Sequence, residues 1–357
     1  MEIIAEAGTS HGGSLHLALQ LIEEAKNAGA DTVKFQAVIA DEIIHPNSGL
    51  IPLHGQNRNL YEEFRSLERP PEFYAKLREH TEKVGLKFLC SVFGIRSAQM
   101  LKDLGISRLK IASPELNHIP LLQKVAFYNI PIILSTGVSF LADIEQALTI
   151  CPRDRVTLLH CVTSYPAPYQ DYQLHLLPHL SQVFGVPFGV SDHSLDPLII
   201  PLTALFQEAP ILEKHLTLNH QGGGLDDPIA LNPKQFKTMV KAIREVESLS
   251  LSERQRAILE RIGLEAFQQA LGSGPKVLAP SEQLNYGRSN RSICAKTDLK
   301  KGDVLTEANI EIYRVEKHLI PGLAPRYLNS ILGKVIQRDV KAGNGIVWED
   351  LTVSGTP

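Results

Sequence analysis

The sequence is poor in the features that mark several protein classes. Its four cysteines, Cys90, Cys151, Cys161 and Cys294, form no CxxC pair, which excludes a zinc knuckle or a thiol redox motif. Cys90 and Cys161 lie in or beside apolar runs and read as buried thiols, as expected of a cytoplasmic protein. No apolar stretch approaches the ~20 residues that cross a bilayer. The start, Met1-Glu2-Ile3-Ile4-Ala5-Glu6, lacks the basic and apolar regions of a signal peptide. There is no basic run, aromatics are 6%, and the net charge is −3, so nucleic-acid and membrane partners have no electrostatic footprint. What is present is 43% hydrophobic and 21% charged residues across 357 positions. That composition suits a soluble barrel of about 250 residues with a small extra module.

Short β-type runs alternate with amphipathic stretches. The runs are 3–6, 32–36, 87–91, 108–111, 131–135, 156–160, 187–191 and 211–215. Between them, stretches such as 15–28, 71–84, 97–104, 119–127, 140–150, 195–207 and 233–249 have the length of crossover helices. This alternation predicts parallel βαβ units, and the number of runs predicts an α/β fold of the closed (β/α)₈ TIM-barrel type. A Rossmann-like sheet is the competing fold, but Gly8, Gly12 and Gly13 do not make GxGxxG. Residues 37–70 show little helical period and read as a long loop over the rim.

The C-terminal strand ends of such a barrel collect its chemistry. His193 and His215 both fall there, and Glu6, Lys34 and Lys110 end similar runs. Histidines, a carboxylate and lysines on one rim suggest a divalent metal beside a phosphorylated substrate. A lysine ending an apolar strand is unusual, because buried lysine is rare without a partner. His11 could line the rim, His160 reads as a core histidine, and His220 is unassigned.

The barrel is expected over residues 1–250 and a linker with a polar helix over 251–289. A module of short strands and turns is expected over 290–357. Within that tail, Asp298-Leu299-Lys300-Lys301-Gly302 is echoed by Asp339-Val340-Lys341-Ala342-Gly343.

With both halves in view, the chain resembles the sialic acid synthase family, a barrel joined to a C-terminal antifreeze-like β-clip domain. In the barrel the resemblance rests on Ile4-Ala5-Glu6-Ala7-Gly8, Gly29-Ala30-Asp31-Thr32-Val33-Lys34-Phe35-Gln36 and Leu109-Lys110-Ile111-Ala112-Ser113-Pro114-Glu115. It continues through Ile133-Leu134-Ser135-Thr136-Gly137, Leu159-His160-Cys161, Tyr165-Pro166-Ala167-Pro168-Tyr169, Ser191-Asp192-His193 and Glu213-Lys214-His215. In the tail it rests on Arg291-Ser292, Asp298-Leu299-Lys300-Lys301-Gly302 and Leu332-Gly333-Lys334.

The resemblance implies condensation of phosphoenolpyruvate with N-acetylmannosamine or a related N-acyl aminosugar, giving a nonulosonic acid and phosphate. It implies His193 and His215 as ligands of a divalent metal, manganese first, with magnesium and cobalt as alternatives. Lys34 and Lys110 would hold phosphoenolpyruvate with Ser91, Ser113, Ser135, Thr163 and Ser191, and Glu6 would transfer a proton. Gln36, Glu115, Tyr165 and Asp226 would contact the sugar. Arg291 would reach its N-acyl group across a domain-swapped homodimer. Departures from the family pattern, at Ser10, Pro114, Thr163 and Gly223-Gly224-Leu225-Asp226, fall mostly on the sugar side. The alternatives are a legionaminic- or pseudaminic-type synthase using a diacetamido sugar, a non-catalytic sugar-binding protein, and a deoxy-heptulosonate or octulosonate synthase. The antifreeze-like tail argues against the last.

Overall fold

The structure is a computed structural model that describes residues 1–53 and 56–352. In chain order the elements begin β1 (Glu2–Gly8), α1 (Leu15–Ala28), β2 (Thr32–Ala37), β3 (Leu50–Leu53), β4 (Gln56–Asn59), α2 (Leu60–Leu67) and α3 (Pro71–Lys83). They continue with β5 (Lys87–Val92), α4 (Ile95–Asp103), β6 (Leu109–Ile111), α5 (Ile119–Ala126), β7 (Ile132–Ser135) and α6 (Leu141–Ile150). Then come β8 (Val156–Cys161), α7 (Leu176–Phe184), β9 (Phe188–Asp192), α8 (Ile199–Phe206), β10 (Ile211–His215) and α9 (Pro233–Glu247). The chain ends in α10 (Leu251–Ile262), α11 (Leu264–Leu271), β11 (Arg291–Ala295), β12 (Ile310–Arg314) and α12 (Leu328–Ile331).

Eight strands close into a parallel barrel in the order β1-β10-β9-β8-β7-β6-β5-β2, as the alternation of runs predicts. Because strand side chains alternate, each strand sends every second residue into the lumen. A middle layer of Ile4, Leu89, Ile133, Leu159 and Ile211 fills it. Gly189 has no room for a side chain there: a Cβ would lie 2.4 Å from the Ile211 carbonyl and 2.8 Å from Leu159. One step above, the same faces present Glu6, Lys34, Ser91, Lys110, Ser135, Ser191 and Glu213, so an apolar floor supports a polar rim. The outward faces pack on the helices in one continuous core that includes Val33, Phe35, Leu134 and Leu212. At the opposite end, Glu2 takes Arg108 at 2.6 and 2.9 Å and is also hydrogen-bonded by Thr32.

Two segments differ from the sequence-based expectation. Residues 37–70 are not a plain loop: they contain the β3–β4 hairpin and α2. Asn59 caps α2 through the Tyr61 N–H at 3.0 Å, and Leu60, Tyr61, Phe64 and Leu67 bury one face against Val38, Ile43 and Phe93. Residues 251–271, expected as a linker with one polar helix, form two helices. Helices α10 and α11, broken at Gly263, bring Ala257, Ile258, Phe267 and Ala270 into the barrel core. Phe267 stacks edge-on against Phe206 of α8, with ring centroids 5.1 Å apart.

The tail has its own core of Ile293, Ala295, Leu299, Leu305, Ile310, Ile336, Val340 and Ile346. Its internal echo is a physical exchange. Leu299 and Val340 bridge antiparallel, Lys300 pairs with Asp339 at 2.8 Å, and Lys341 pairs with Asp298 at 3.0 Å. The tail rests on the barrel rim of its own chain, where the Arg314 N–H donates to the Ile43 carbonyl at 2.9 Å.

Candidate active site

The rim holds a buried four-charge cluster. Lys34 Nζ lies 3.2 Å from Glu213 Oε2, 3.3 Å from Glu6 Oε2 and 3.3 Å from Ser91 Oγ. Lys110 Nζ donates to Ser135 Oγ at 2.6 Å and sits 3.7 Å from Glu213 Oε1, which also accepts from Ser191 Oγ at 2.9 Å. Glu213 thus bridges both lysines expected to bind phosphoenolpyruvate. Burial pushes its carboxyl up, but Lys110 and Lys34 outweigh burial and hold it down at about 2. Burial pulls Lys34 down, and Glu213 and Glu6 outweigh that and keep it above its ordinary value. Lys110 has less compensation, and burial lowers it to about 8. Glu6 is the opposite case: burial carries it to about 7, near neutrality, against the pull of Lys34.

His193 and His215 face each other with ring centroids 5.5 Å apart. The His193 Nδ1–H donates to the Val162 carbonyl at 2.8 Å, which leaves Nε2 as the atom for a ligand. Burial lowers this imidazole, but Cys161 outweighs burial and raises it to about 9, so a bound cation would take the place of the Nε2 proton. Burial and the neighbouring His193 keep His215 well below its ordinary value, so it is neutral. Asp226 Oδ2 is 3.8 Å from His215 Nδ1, and Tyr165 stacks on His193 at 4.4 Å. Among the described residues no set of three or more His, Cys, Asp or Glu side chains is arranged as a metal cluster. Two oriented imidazoles are a donor set that fits a borderline divalent ion with open positions. An ion pair behind the histidines fixes their strands: Lys214 Nζ meets Asp192 Oδ2 at 2.6 Å, both fully buried.

The residues expected on the sugar side divide. Gln36 Nε2 donates to Glu6 Oε1 at 2.8 Å, and a Cβ on Gly8 would meet Gln36 at 3.2 Å, Glu6 at 3.3 Å and Asp226 at 3.7 Å. Those three therefore converge on one spot. Glu115 is fully buried, and its Oε1 accepts from two arginines. One is Arg291, expected to reach a sugar across a dimer; within its own chain it is turned to other partners. Its Nε and Nη2 go to Glu115 at 3.2 and 3.0 Å, Nη2 also to the Phe93 carbonyl at 2.6 Å, and Nη1 to the carbonyls of Glu42, Ile43 and Ile312. With every donor taken inside its own chain, Arg291 is a structural tie.

The second arginine, Arg314, is one that sequence reasoning missed. It pairs with Glu115 at 2.6 Å, lies over the Phe93 ring at 5.5 Å, and has a 12% exposed side chain. Its Nη1 has no hydrogen bond among the described residues. The strand register sets Arg314 directly opposite Arg291. Glu213 was missed too, although it lies two positions before His215 on a strand where alternate residues share the lumen.

The remaining expectations fall as follows. Ser113 Oγ accepts from the Gly137 N–H at 3.0 Å, and Thr163 Oγ1 is buried without a hydrogen bond among the described residues. His160 is a core histidine: its Nε2 donates to the Tyr172 carbonyl at 2.6 Å, and burial lowers it to about 3. His11 packs between Phe35 and Phe73 rather than lining the site. No helix is long and apolar enough to cross a membrane among the described residues.

Residues 21–255 match the NeuB family and residues 290–352 match the SAF domain. The chain is similar to N,N'-diacetyllegionaminic acid synthase of Campylobacter jejuni, 33% identical over 348 residues, covering 95% of this chain and 96% of the relative. It is similar to pseudaminic acid synthase of Helicobacter pylori, 31% identical over 358 residues, covering 98% and 97%. The solved structure of the spore coat polysaccharide biosynthesis protein SpsE of Bacillus subtilis superposes with a TM-score of 0.81 at 33% identity, covering 99% and 96%. With this rim, this barrel and this tail, the chain belongs to the NeuB family and is an enzyme of that family with a C-terminal SAF domain.

Proposed function

We propose that the protein condenses phosphoenolpyruvate with an N-acyl aminosugar, N-acetylmannosamine or a close relative, to give a nonulosonic acid and phosphate. The observation that carries this reading is the pair of buried lysines, Lys34 and Lys110, bridged by Glu213 beside two facing imidazoles. Lys34 and Lys110 offset the carboxylate and phosphate of the substrate, and Ser91, Ser113, Ser135, Thr163 and Ser191 supply hydroxyl donors around it. His193 and His215 would hold a divalent cation, manganese by preference, which when bound supplies Lewis acidity at the aldehyde oxygen of the open-chain sugar.

In the reaction, C3 of phosphoenolpyruvate forms a bond to the aldehyde carbon, and the aldehyde oxygen takes a proton from Glu6 to become a hydroxyl. Water adds at C2 and gives its proton to Glu6. The C2–O bond to phosphate then breaks, the C2 hydroxyl proton passes to the departing phosphate, and the 2-keto acid remains. Gln36 holds Glu6 in place for this step, while Asp226, Tyr165 and Arg314 are the side chains we assign to the sugar. A cytoplasmic homodimer completes the proposal, and light scattering checks the dimer.

A second reading changes only the acceptor, to a diacetamido sugar of the legionaminic or pseudaminic type. The names of the Campylobacter and Helicobacter relatives favour it. The test is phosphate release from phosphoenolpyruvate with manganese, run with N-acetylmannosamine, with each diacetamido hexose and without sugar. Release with one sugar names the acceptor. No release with any of them, from folded protein, refutes the proposal.

A further inference from the structure

The segment joining barrel and tail carries a buried carboxylate. Glu282 ends the turn Pro280–Glu282 and is 1% exposed. Its Oε1 accepts from the backbone N–H of Val138 at 2.8 Å and of Thr163 at 2.6 Å. Its Oε2 accepts from the Ala279 N–H at 3.3 Å. Asn285 Nδ2 donates to the Thr163 carbonyl at 2.9 Å, and Asn290 Nδ2 donates to the Val138 carbonyl at 3.0 Å. One segment therefore satisfies both the N–H and the C=O of a residue just past β7 and of another just past β8. Beyond the strand ends the sheet offers these groups no partners, and buried backbone groups require them. Val138 also holds φ at +44°, an outlier for a β-branched residue. Such backbone persists only where its surroundings over-determine it, and Glu282 and Asn290 do so here.

The two held residues flank the hydroxyls assigned to the phosphoenolpyruvate side. Gly137, the neighbour of Val138, donates its N–H to Ser113 Oγ at 3.0 Å. A Cβ on Gly137 would fall 2.1 Å from Thr163 Oγ1, 3.0 Å from Ser113 Oγ and 3.2 Å from Glu282 Oε1. The two hydroxyls and the carboxylate meet at one crowded point, and the Thr163 hydroxyl has no protein partner there among the described residues.

We infer that Glu282 is a positioning residue for the anion site: through Val138 and Thr163 it sets the spacing of the Ser113 and Thr163 hydroxyls, and it makes their placement depend on the segment that carries the tail. This rests on the phosphoenolpyruvate reading above.

The test uses the full-length chain, wild type and with Glu282→Ala or Glu282→Gln. Phosphoenolpyruvate affinity is read by calorimetry, KM is measured for each substrate, and amide exchange is followed at Val138 and Thr163. Glu282→Ala is expected to speed exchange at both amides and to weaken phosphoenolpyruvate on the order of 10- to 100-fold, with the sugar KM changed less than about twofold. Glu282→Gln keeps an acceptor oxygen for both amides and is expected to recover most of that loss. Faster exchange with unchanged phosphoenolpyruvate affinity overturns the inference. An equal loss for both substrates, in step with a lower Tm, also overturns it, because that is the signature of general destabilisation. If Glu282→Ala does not fold, Asn285→Ala releases the Thr163 carbonyl and is read in the same way. A wild type that does not bind phosphoenolpyruvate removes the proposed function and this inference together; a wild type that binds, with an equally tight alanine variant, removes the inference alone.

Discussion

Lys110 titrates in the range where the enzyme would work. On the proposed reading its charge helps hold a trianion, and burial lowers its pKa to about 8 while Glu213 opposes the fall. The protonated form binds, so phosphoenolpyruvate affinity is expected to be full below that value and to weaken as pH rises through it. Calorimetry between neutral pH and pH ~10 checks this, and a flat profile removes Lys110 from the anion site. Glu213→Gln removes the bridging charge, and a loss of roughly 10²- to 10³-fold in kcat/KM is expected, the scale for removing one preorganised electrostatic contact. Glu6→Gln separates roles: turnover is expected to fall about 10²- to 10⁴-fold while phosphoenolpyruvate affinity is retained. The residues legible in sequence were those whose type is odd for their place, such as Lys34 in an apolar run. Glu213 was hidden because a carboxylate before a lysine and a histidine reads as surface charge until alternation puts it inside. Arg291 and Arg314 were hard to tell apart for a related reason. Both sit on the same strand pair, and only the packed geometry shows which guanidinium has every donor taken. Arg291→Leu is accordingly expected to act on stability, costing about 3–5 kcal/mol in urea unfolding, as for breaking a buried pair.

The elements were more legible than their ends. Each barrel strand appears within a residue or two of its apolar run, because a parallel strand buried on both faces is mostly apolar. Segment 37–70 was less legible. Its helix α2 is only eight residues long, too short for a period to stand out, and it is fixed by an Asn59 cap and by burial against Phe93. At the N-terminal face of the barrel the strand ends serve stability, and β1 shows how. Arg108 and Thr32 outweigh burial and hold Glu2 at about 2, against 4.5 for an ordinary glutamate. A depressed carboxyl stabilises above its unfolded pKa, and that contribution is lost as pH falls from about 4.5 toward 2. It amounts to about 1–2 kcal/mol at neutral pH once solvent screening of this partly exposed pair is allowed for. Glu2→Gln is expected to lose most of this at pH 7 and to show a flatter acid limb. Urea midpoints at pH 7 and pH 3 measure it, and parallel limbs for the two proteins would dismiss the Glu2–Arg108 pair.

At the scale of the whole molecule, the division into barrel and tail could be read from texture, but the packed extent of the barrel could not. Amphipathic α10 and α11 look like a polar linker until their apolar stripes are seen to cover α8. Cutting the chain after residue 249 is therefore expected to expose that surface and give aggregated protein. Cutting after residue 271 is expected to give a soluble barrel with a cooperative thermal transition and no phosphate release. Equal solubility of the two truncations would show that the helices are dispensable. Full activity of the longer one would remove the tail from the reaction.

The rim is finished by chain that comes after it. Glu282, Asn285 and Asn290 hold loops whose residues were synthesised long before them, and the barrel itself can close once β10 has met β1. On the proposed reading a closed barrel precedes a completed anion site during translation, and the domain folded at the ribosome exit is a different object from the finished enzyme. Activity on this view is acquired last, when the final quarter of the polypeptide emerges and the strap lies down across the strand ends. A ribosome stalled before that point would carry a barrel that is structurally mature and chemically unready.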